Sequence, residues 1–330
     1  MSHSTTPVAG PREDETDRLK EQIARARTGE LRSLARLITR VENNDPLLPR
    51  LSQELLAVDS RARIIGLTGP PGVGKSTTTS ALVTAFRTAG HRVAVLAVDP
   101  SSPFSSGALL GDRVRMNVHA KDDGVYIRSL ATRGHLGGLT GSINQVARVL
   151  DAAGYDVILV ETVGVGQSEV EVAGFADTTM VLLAPGMGDG VQAAKAGVLE
   201  IGDIFVINKA DKDGAEAVRR DIRNMIALNS YGPGQWKPPI TMCVASRTDG
   251  IGLLKDKTDE HWVWLEETGE LRQRRKRRTR EEIEGIAVAE LRARWREGQD
   301  NDRLERAANE VLHGRGDPYS MATTFLRTRP

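Results

Sequence analysis

Between Arg61 and Val244 the chain alternates short apolar runs with longer amphipathic ones, the pattern of β-strands alternating with helices. Strands are predicted at 63–68, 92–98, 125–129, 157–161, 179–184, 204–208 and 240–244. The stretch Thr77 to Ala89 reads as a helix carrying Ala81, Leu82, Ala85 and Phe86 on one face. Strict strand–helix alternation implies βαβ units and a mostly parallel sheet with helices on both faces. Before Arg61 the spacing becomes helical. Leu19, Ile23 and Ala26 mark a first helix; Leu31, Leu34, Ile38 and Val41 mark a second, ended by Asn43-Asn44-Asp45-Pro46. Pro49 opens a third, with Leu51, Leu55 and Val58. After residue 251 the strands stop, and helices with thin apolar stripes follow: Ile283, Ala287, Leu291 and Trp295, then Leu304, Ala308, Val311 and Leu312.

The pattern divides the 330 residues into a disordered tail (1–14), an N-terminal helical module (15–60), an α/β domain (61–250) and a C-terminal helical region (251–330). The N-terminal module is expected to stand apart from the nucleotide core, either capping it or docking a partner. The C-terminal stripes are too small for an independent core, which makes packing on a second subunit a reasonable expectation.

Composition adds mainly exclusions. Forty-five Lys and Arg against 44 Asp and Glu give a formal charge of +1, so no global field points to nucleic acid or membrane. The one cysteine, Cys243, lies in an apolar run and is expected to be a buried strand residue. The six histidines are scattered without metal-ligand spacing. An N-terminus without an apolar segment, and no stretch of membrane-spanning length, lead to the expectation of a cytoplasmic protein. The basic run Arg272 to Arg280 could meet an acidic surface, but beside Glu281-Glu282 and Glu284 it reads as a solvated helix face.

The candidate chemistry follows the strands. Gly69-Pro70-Pro71-Gly72-Val73-Gly74-Lys75-Ser76 matches G-x-x-x-x-G-K-[ST], set between a strand and a helix that begins near Thr77. Glycines let successive N–H groups point at phosphate oxygens, Lys75 reaches the β and γ phosphates, and the Ser76 hydroxyl can ligate Mg²⁺. Asp99 and Asp112 are oxygen donors that could hold Mg²⁺ or cap a turn. Glu161, then Gly164, resembles a GTPase switch in which a carboxylate anchors Mg²⁺ and a glycine amide senses the γ-phosphate. Gln167 could orient the attacking water or lie on the surface. The glycine-rich 185–190 loop leads to Gln192 and Lys195, and could report on the nucleotide or merely connect. Asn208-Lys209-Ala210-Asp211 has the form of a guanine-recognition motif, and Ala245 stands where an alanine amide would donate to guanine O6, with Val244 in place of the usual Ser. An Asp211 carboxylate left unpaired by adenine would favour GTP, a discrimination that can reach about 10⁴ to 10⁵.

Taken with Val98 to Phe104, Gly107 to Arg113, Arg128 to Gly134, Val160 to Gln167, the 185–195 loop and Gly29 to Thr39, these motifs resemble one family. It is that of the methylmalonyl-CoA mutase-associated GTPases, MeaB, also called ArgK. The resemblance covers roughly residues 28–330. It implies a P-loop NTPase fold and a homodimeric GTP-hydrolysing chaperone, joined through its C-terminal helices. Such a chaperone binds an adenosylcobalamin-dependent acyl-CoA mutase, gates cofactor loading, and protects or repairs the mutase. It further implies Lys75 and Ser76 on phosphate and Mg²⁺, Asp99, Asp112 and Glu161 around the metal, and Lys195 coupling the mutase to hydrolysis. Three rivals are a nickel-insertion metallochaperone GTPase, a transport-associated protein kinase, and a scaffold or nucleic-acid binder.

Overall fold

The computed structural model describes residues 13–56, 61–99, 117–119, 121–131, 138–162, 174–186, 200–296 and 298–327. Seven strands, β1 (Arg63–Thr68), β2 (Val93–Asp99), β3 (Val125–Ala131), β4 (Val157–Thr162), β5 (Thr178–Leu183), β6 (Ile204–Ile207) and β7 (Ile240–Met242), form one sheet in the order β3-β2-β4-β1-β5-β6-β7. Every pairing in it is parallel. All seven expected strands are present, and the sheet is more uniformly parallel than the pattern required. β4, β5 and β6 are buried at every position, which is why they read as continuous apolar runs rather than alternating ones.

Helices cover both faces. On one lie α1 (Glu13–Arg27), α2 (Leu31–Glu42), α3 (Leu48–Leu55) and α5 (Gly138–Ala152); on the other, α4 (Lys75–Thr88) and α7 (Ile251–Glu267). Leu34, Leu37, Ile38 and Leu51 share a single apolar cluster with Leu96 of β2, Ile158 of β4 and Leu150 of α5. The N-terminal helices therefore cap the sheet, and Arg128 of β3 ties them down through Glu42 and, at 3.2 Å, Thr39. α6 (Ala215–Ala227) covers β5 and β6 through Val218, Ile222 and Ile226. Cys243 is buried just past β7, and burial pushes its thiol up to about 12.

After α7 come α8 (Glu270–Trp295), α9 (Gly298–Leu312) and α10 (Pro318–Arg327). Here the basic run departs from a solvated face. Arg274, Arg275 and Arg278, spaced to share one side of α8, turn inward onto acids at the amino ends of β5 and β6. Arg274 grips Asp203 with two bonds of 2.8 Å. Arg275 donates to Asp177 at 3.0 Å and to the Ala62 carbonyl at 2.9 Å, and Arg278 donates to the Phe175 carbonyl. Asp177, only 1% exposed in its side chain, also accepts from the Ile64 amide. The physical reason is that these acids accept backbone N–H groups where strands begin, and their buried charge needs partners. The second half of α8 behaves oppositely: Ile283 and Val288 are exposed, as are Leu312, Tyr319 and Leu326 beyond it.

Asp203 gives a testable pH signature. Burial alone would raise its carboxyl, but the His261 ring 3.4 Å away and the two hydrogen bonds from Arg274 outweigh that and lower it to about 2. An unfolded aspartate titrates at about 3.9, so this depressed value contributes about 2 kcal/mol of stability. The contribution is full above about pH 5 and fades as pH falls toward about 2. Urea denaturation of Asp203→Asn should therefore show a shallower loss of stability than the parent between those pH values. Equal slopes would refute the assignment.

Candidate nucleotide site

The site forms where β1, β4, β6 and β7 end, at the carboxyl edge of the sheet, because after β1 the chain crosses to β2 on one side and after β4 it crosses back past β1 to β5 on the other. Register does the rest. Leu67 of β1 pairs with Glu161 of β4, so Glu161 emerges beside the loop that follows β1. Ile207 pairs with Met242, which sets Asn208 beside the segment from Cys243 to Ala245.

The loop's turn depends on two glycines. Gly69 has φ +140°, and a Cβ there would lie 2.2 Å from the Leu182 carbonyl oxygen of β5. Gly74 has φ +97°, and a Cβ there would lie 2.4 Å from Asn208 Nδ2. No L side chain fits either place. α4 then starts at Lys75, two residues earlier than expected, so its first N–H groups open directly onto the loop. Between them Pro70, Pro71, Gly72 and Val73 make the curve, and Thr77 stands in the first helical turn.

Lys75 is nearly buried, and its Nζ donates to the carbonyls of Gly69 (2.5 Å) and Pro70 (3.2 Å). The Ser76 hydroxyl donates to Glu161 Oε1 at 2.5 Å, and Thr79, one turn later, donates to Oε2 at 2.9 Å. Glu161 is 2% exposed. A carboxylate and a hydroxyl converging in so dry a place form the hard oxygen set that suits Mg²⁺.

Asn208 joins the two halves of the site. Its Nδ2 donates to the Val73 carbonyl at 2.8 Å, and its Oδ1 accepts the Ala245 amide at 3.1 Å. Lys209, at φ +56°, reaches back to the Gly72 carbonyl at 2.6 Å. Asp211 is half exposed and paired with Arg247 at 3.4 Å; Arg247 also holds Asp249 at 3.0 Å. The structure thus brings Gly69 to Thr77, Glu161, Asn208, Lys209, Asp211 and Ala245 to one edge. Asp99 closes β2 on the same edge, with its side chain outside the described residues. Asp112, Gly164, Gln167 and Lys195 also lie outside them.

Sequence reasoning missed Thr79 and Arg247. Thr79 falls three residues after Ser76, one helical turn, and that spacing was the available signal. Arg247 had none, since its place depends on the turn after β7.

A family model described as methylmalonyl-CoA mutase-associated GTPase MeaB matches residues 34–300. The chain belongs to the MeaB family. It is 44% identical to a putative GTPase of Pyrococcus abyssi over 94% of this chain and 96% of that one. It is 36% identical to the GTPase ArgK of Escherichia coli, covering 87% and 89%. It is 37% identical to the mouse methylmalonic aciduria type A homolog, a mitochondrial protein, covering 75% of this chain and 64% of that one. Among solved structures, that of an LAO/AO transport system kinase superposes with a TM-score of 0.72 at 27% identity, covering 96% and 98%. This MeaB-family chain is accordingly a GTPase that binds GTP and GDP on a P-loop fold. No helix among its described residues is long and apolar enough to cross a membrane.

Proposed function

We propose that this GTPase is a chaperone of an adenosylcobalamin-dependent acyl-CoA mutase, with methylmalonyl-CoA mutase the first candidate. It gates cofactor loading, and protects or reactivates the mutase, in the cytoplasm. The observation that carries this reading is the match of residues 34–300 to the mutase-associated family. The likeness to the mouse methylmalonic aciduria protein supports it.

In this reading the amides from Gly72 to Thr77 cradle the phosphates, and Lys75 exchanges the Gly69 and Pro70 carbonyls for β and γ oxygens. Ser76 and Glu161 would hold Mg²⁺, with Asp99 and Asp112 completing its surroundings; when bound, the ion neutralises phosphate charge. Gln167 orients water for attack on the γ-phosphorus, the bond to the β–γ bridging oxygen breaks, and the Gly164 amide follows the departing phosphate. Lys195 transmits the mutase's presence to this step. Asp211 accepts from guanine and the Ala245 amide donates to its O6, with Asn208 and Lys209 holding those loops. The exposed apolar residues of α8 to α10, Ile283, Leu312 and Tyr319 among them, join two copies into a homodimer. Nucleic acid has no place in this reading, since Arg274, Arg275 and Arg278 of the basic run turn inward onto Asp203 and Asp177.

Asp211→Asn should lower the preference for GTP over ATP by about 10²-fold or more, because a charged acceptor facing two donors is lost. Competition titrations with both nucleotides check this; unchanged discrimination would place base recognition elsewhere. The chaperone reading itself is tested by measuring GTP hydrolysis with and without an adenosylcobalamin-dependent acyl-CoA mutase from the same cell. Stimulation is expected, and turnover indifferent to the mutase would overturn the partner assignment. The solved relative's name keeps a transport-associated kinase as the second reading. A parallel arm with ATP, scored for a phosphorylated protein product, tests it.

A further inference from the structure

At the opposite, amino-terminal edge of the sheet a cavity of about 260 Å³ opens between α3, α5 and α8, beneath the start of β1. Its walls are of two kinds. Leu55, Ile64 and Ile158 supply an apolar side, and Asn144, Arg148 and Arg278 a polar one. Asn144 is 4% exposed, yet neither its Oδ1 nor its Nδ2 has a hydrogen-bond partner among the described residues. A buried amide with both ends unmet is a rarity that native structures ordinarily avoid, since each such group forfeits solvation without return. It is an unmet donor and acceptor side by side, facing a space large enough to hold a ligand.

The charges around the cavity are unevenly met. Arg148 spends Nη1 and Nη2 on Glu282. Among the described residues Arg278 donates through Nη1, shared between the Phe175 carbonyl and Asp177 at 3.5 Å, and its Nε–H and Nη2–H groups meet no acceptor there. Burial lowers the Arg278 pKa, and Arg275 and Arg148 lower it further while Asp177 and Glu282 act the other way. Asp151 also lines the cavity, but its Oδ1 accepts the Arg61 and Ala62 amides, so the lining sets three arginines against one carboxylate and Arg278 is the cation with donors left to meet an anion.

We propose that this cavity is a binding site for a small amphiphilic carboxylate bearing an amide, of the N-acylated amino-acid class. The carboxylate meets Arg278 and the Nε edge of Arg148, the amide pairs reciprocally with Asn144, and a branched aliphatic body lies on Leu55, Ile64 and Ile158. The three demands come from three separate features of the cavity, and one molecule of this class meets them together. The site stands at the far end of β1 from the phosphate loop, so its occupant does not compete with nucleotide.

The probe is N-acetyl-L-leucine, titrated calorimetrically into the full-length protein, with the uncharged N-acetyl-L-leucinamide as control. Saturable one-to-one binding of the acid is expected, with the uncharged control at least about tenfold weaker. Asn144→Leu should abolish the binding and leave the thermal midpoint unchanged or raised, because the replaced amide makes no bond within the chain. Absence of saturable binding, equal binding of the uncharged control, or undiminished binding to Asn144→Leu would each overturn the proposal. So would a marked fall of the Asn144→Leu midpoint, which would show the amide serving the fold through ordered water. GTP turnover of Asn144→Leu supplies an independent check that the variant is folded, as none of its contacts reach the nucleotide edge.

Discussion

Lys75→Ala is expected to reduce GTP turnover by about 10²- to 10³-fold or more, the scale of losing a preorganised charge at the transferring phosphoryl group. The loss should appear in kcat as well as in kcat/KM, since charge develops on the β–γ bridging oxygen as the bond breaks. The fold should survive. Lys75 Nζ donates to the Gly69 and Pro70 carbonyls, whereas the loop's shape is set by Gly69 against Leu182 and by Asn208 against Val73. Circular dichroism together with a phosphate-release assay separates the two effects. A variant retaining more than about a tenth of parental turnover would mean that the loop amides alone carry the charge.

The largest loss of stability is expected at the other edge. Asp177→Ala removes the carboxylate that meets Arg275 at 3.0 Å and the Ile64 amide at 3.0 Å, and that faces Arg278 at 3.5 Å. Breaking a buried pair by deleting one partner costs about 3 to 5 kcal/mol, because the remaining charge stays desolvated. Here two guanidinium groups and one strand amide are left at once. Asp177→Asn keeps an acceptor for Ile64 and should lie between the parent and Asp177→Ala. Equilibrium denaturation at neutral pH measures both, and a loss below about 1 kcal/mol would show that α8 is held by its other contacts.

The sheet was legible in the sequence because its strands are buried on both faces and so appear as unbroken apolar runs, each followed by chemistry. Gly69 to Ser76 and Asn208 to Asp211 stood out for a related reason: the places of Gly69 and Gly74 admit no side chain, and Asn208 bonds the one segment to the other, so the residue types there are restricted. Arg274, Arg275 and Arg278 were illegible. A run of like charges carries no mark of which members turn inward, and the acids that receive them, Asp177 and Asp203, lie about 70 to 100 residues away in sequence. The N-terminal helices posed the same difficulty, since their apolar stripes announce burial without naming the surface, which is α5 and the β2–β3 side of the sheet. Asn144 gave no signal at all; a polar residue inside an amphipathic helix becomes notable only when its surroundings are seen to leave it unmet.

Asn208 bridges two loops that arise from different strands, with a donor spent on Val73 and an acceptor on Ala245. A side chain so placed works as a gauge block. Under the proposed assignment of the site, it fixes the separation between the seat for the base and the seat for the phosphates before any nucleotide arrives, so the ordering entropy of alignment is met in folding rather than in binding. A nucleotide is then recognised by its length as well as by its ends, and GTP and GDP are held in one frame while only the γ-phosphate's surroundings differ between them.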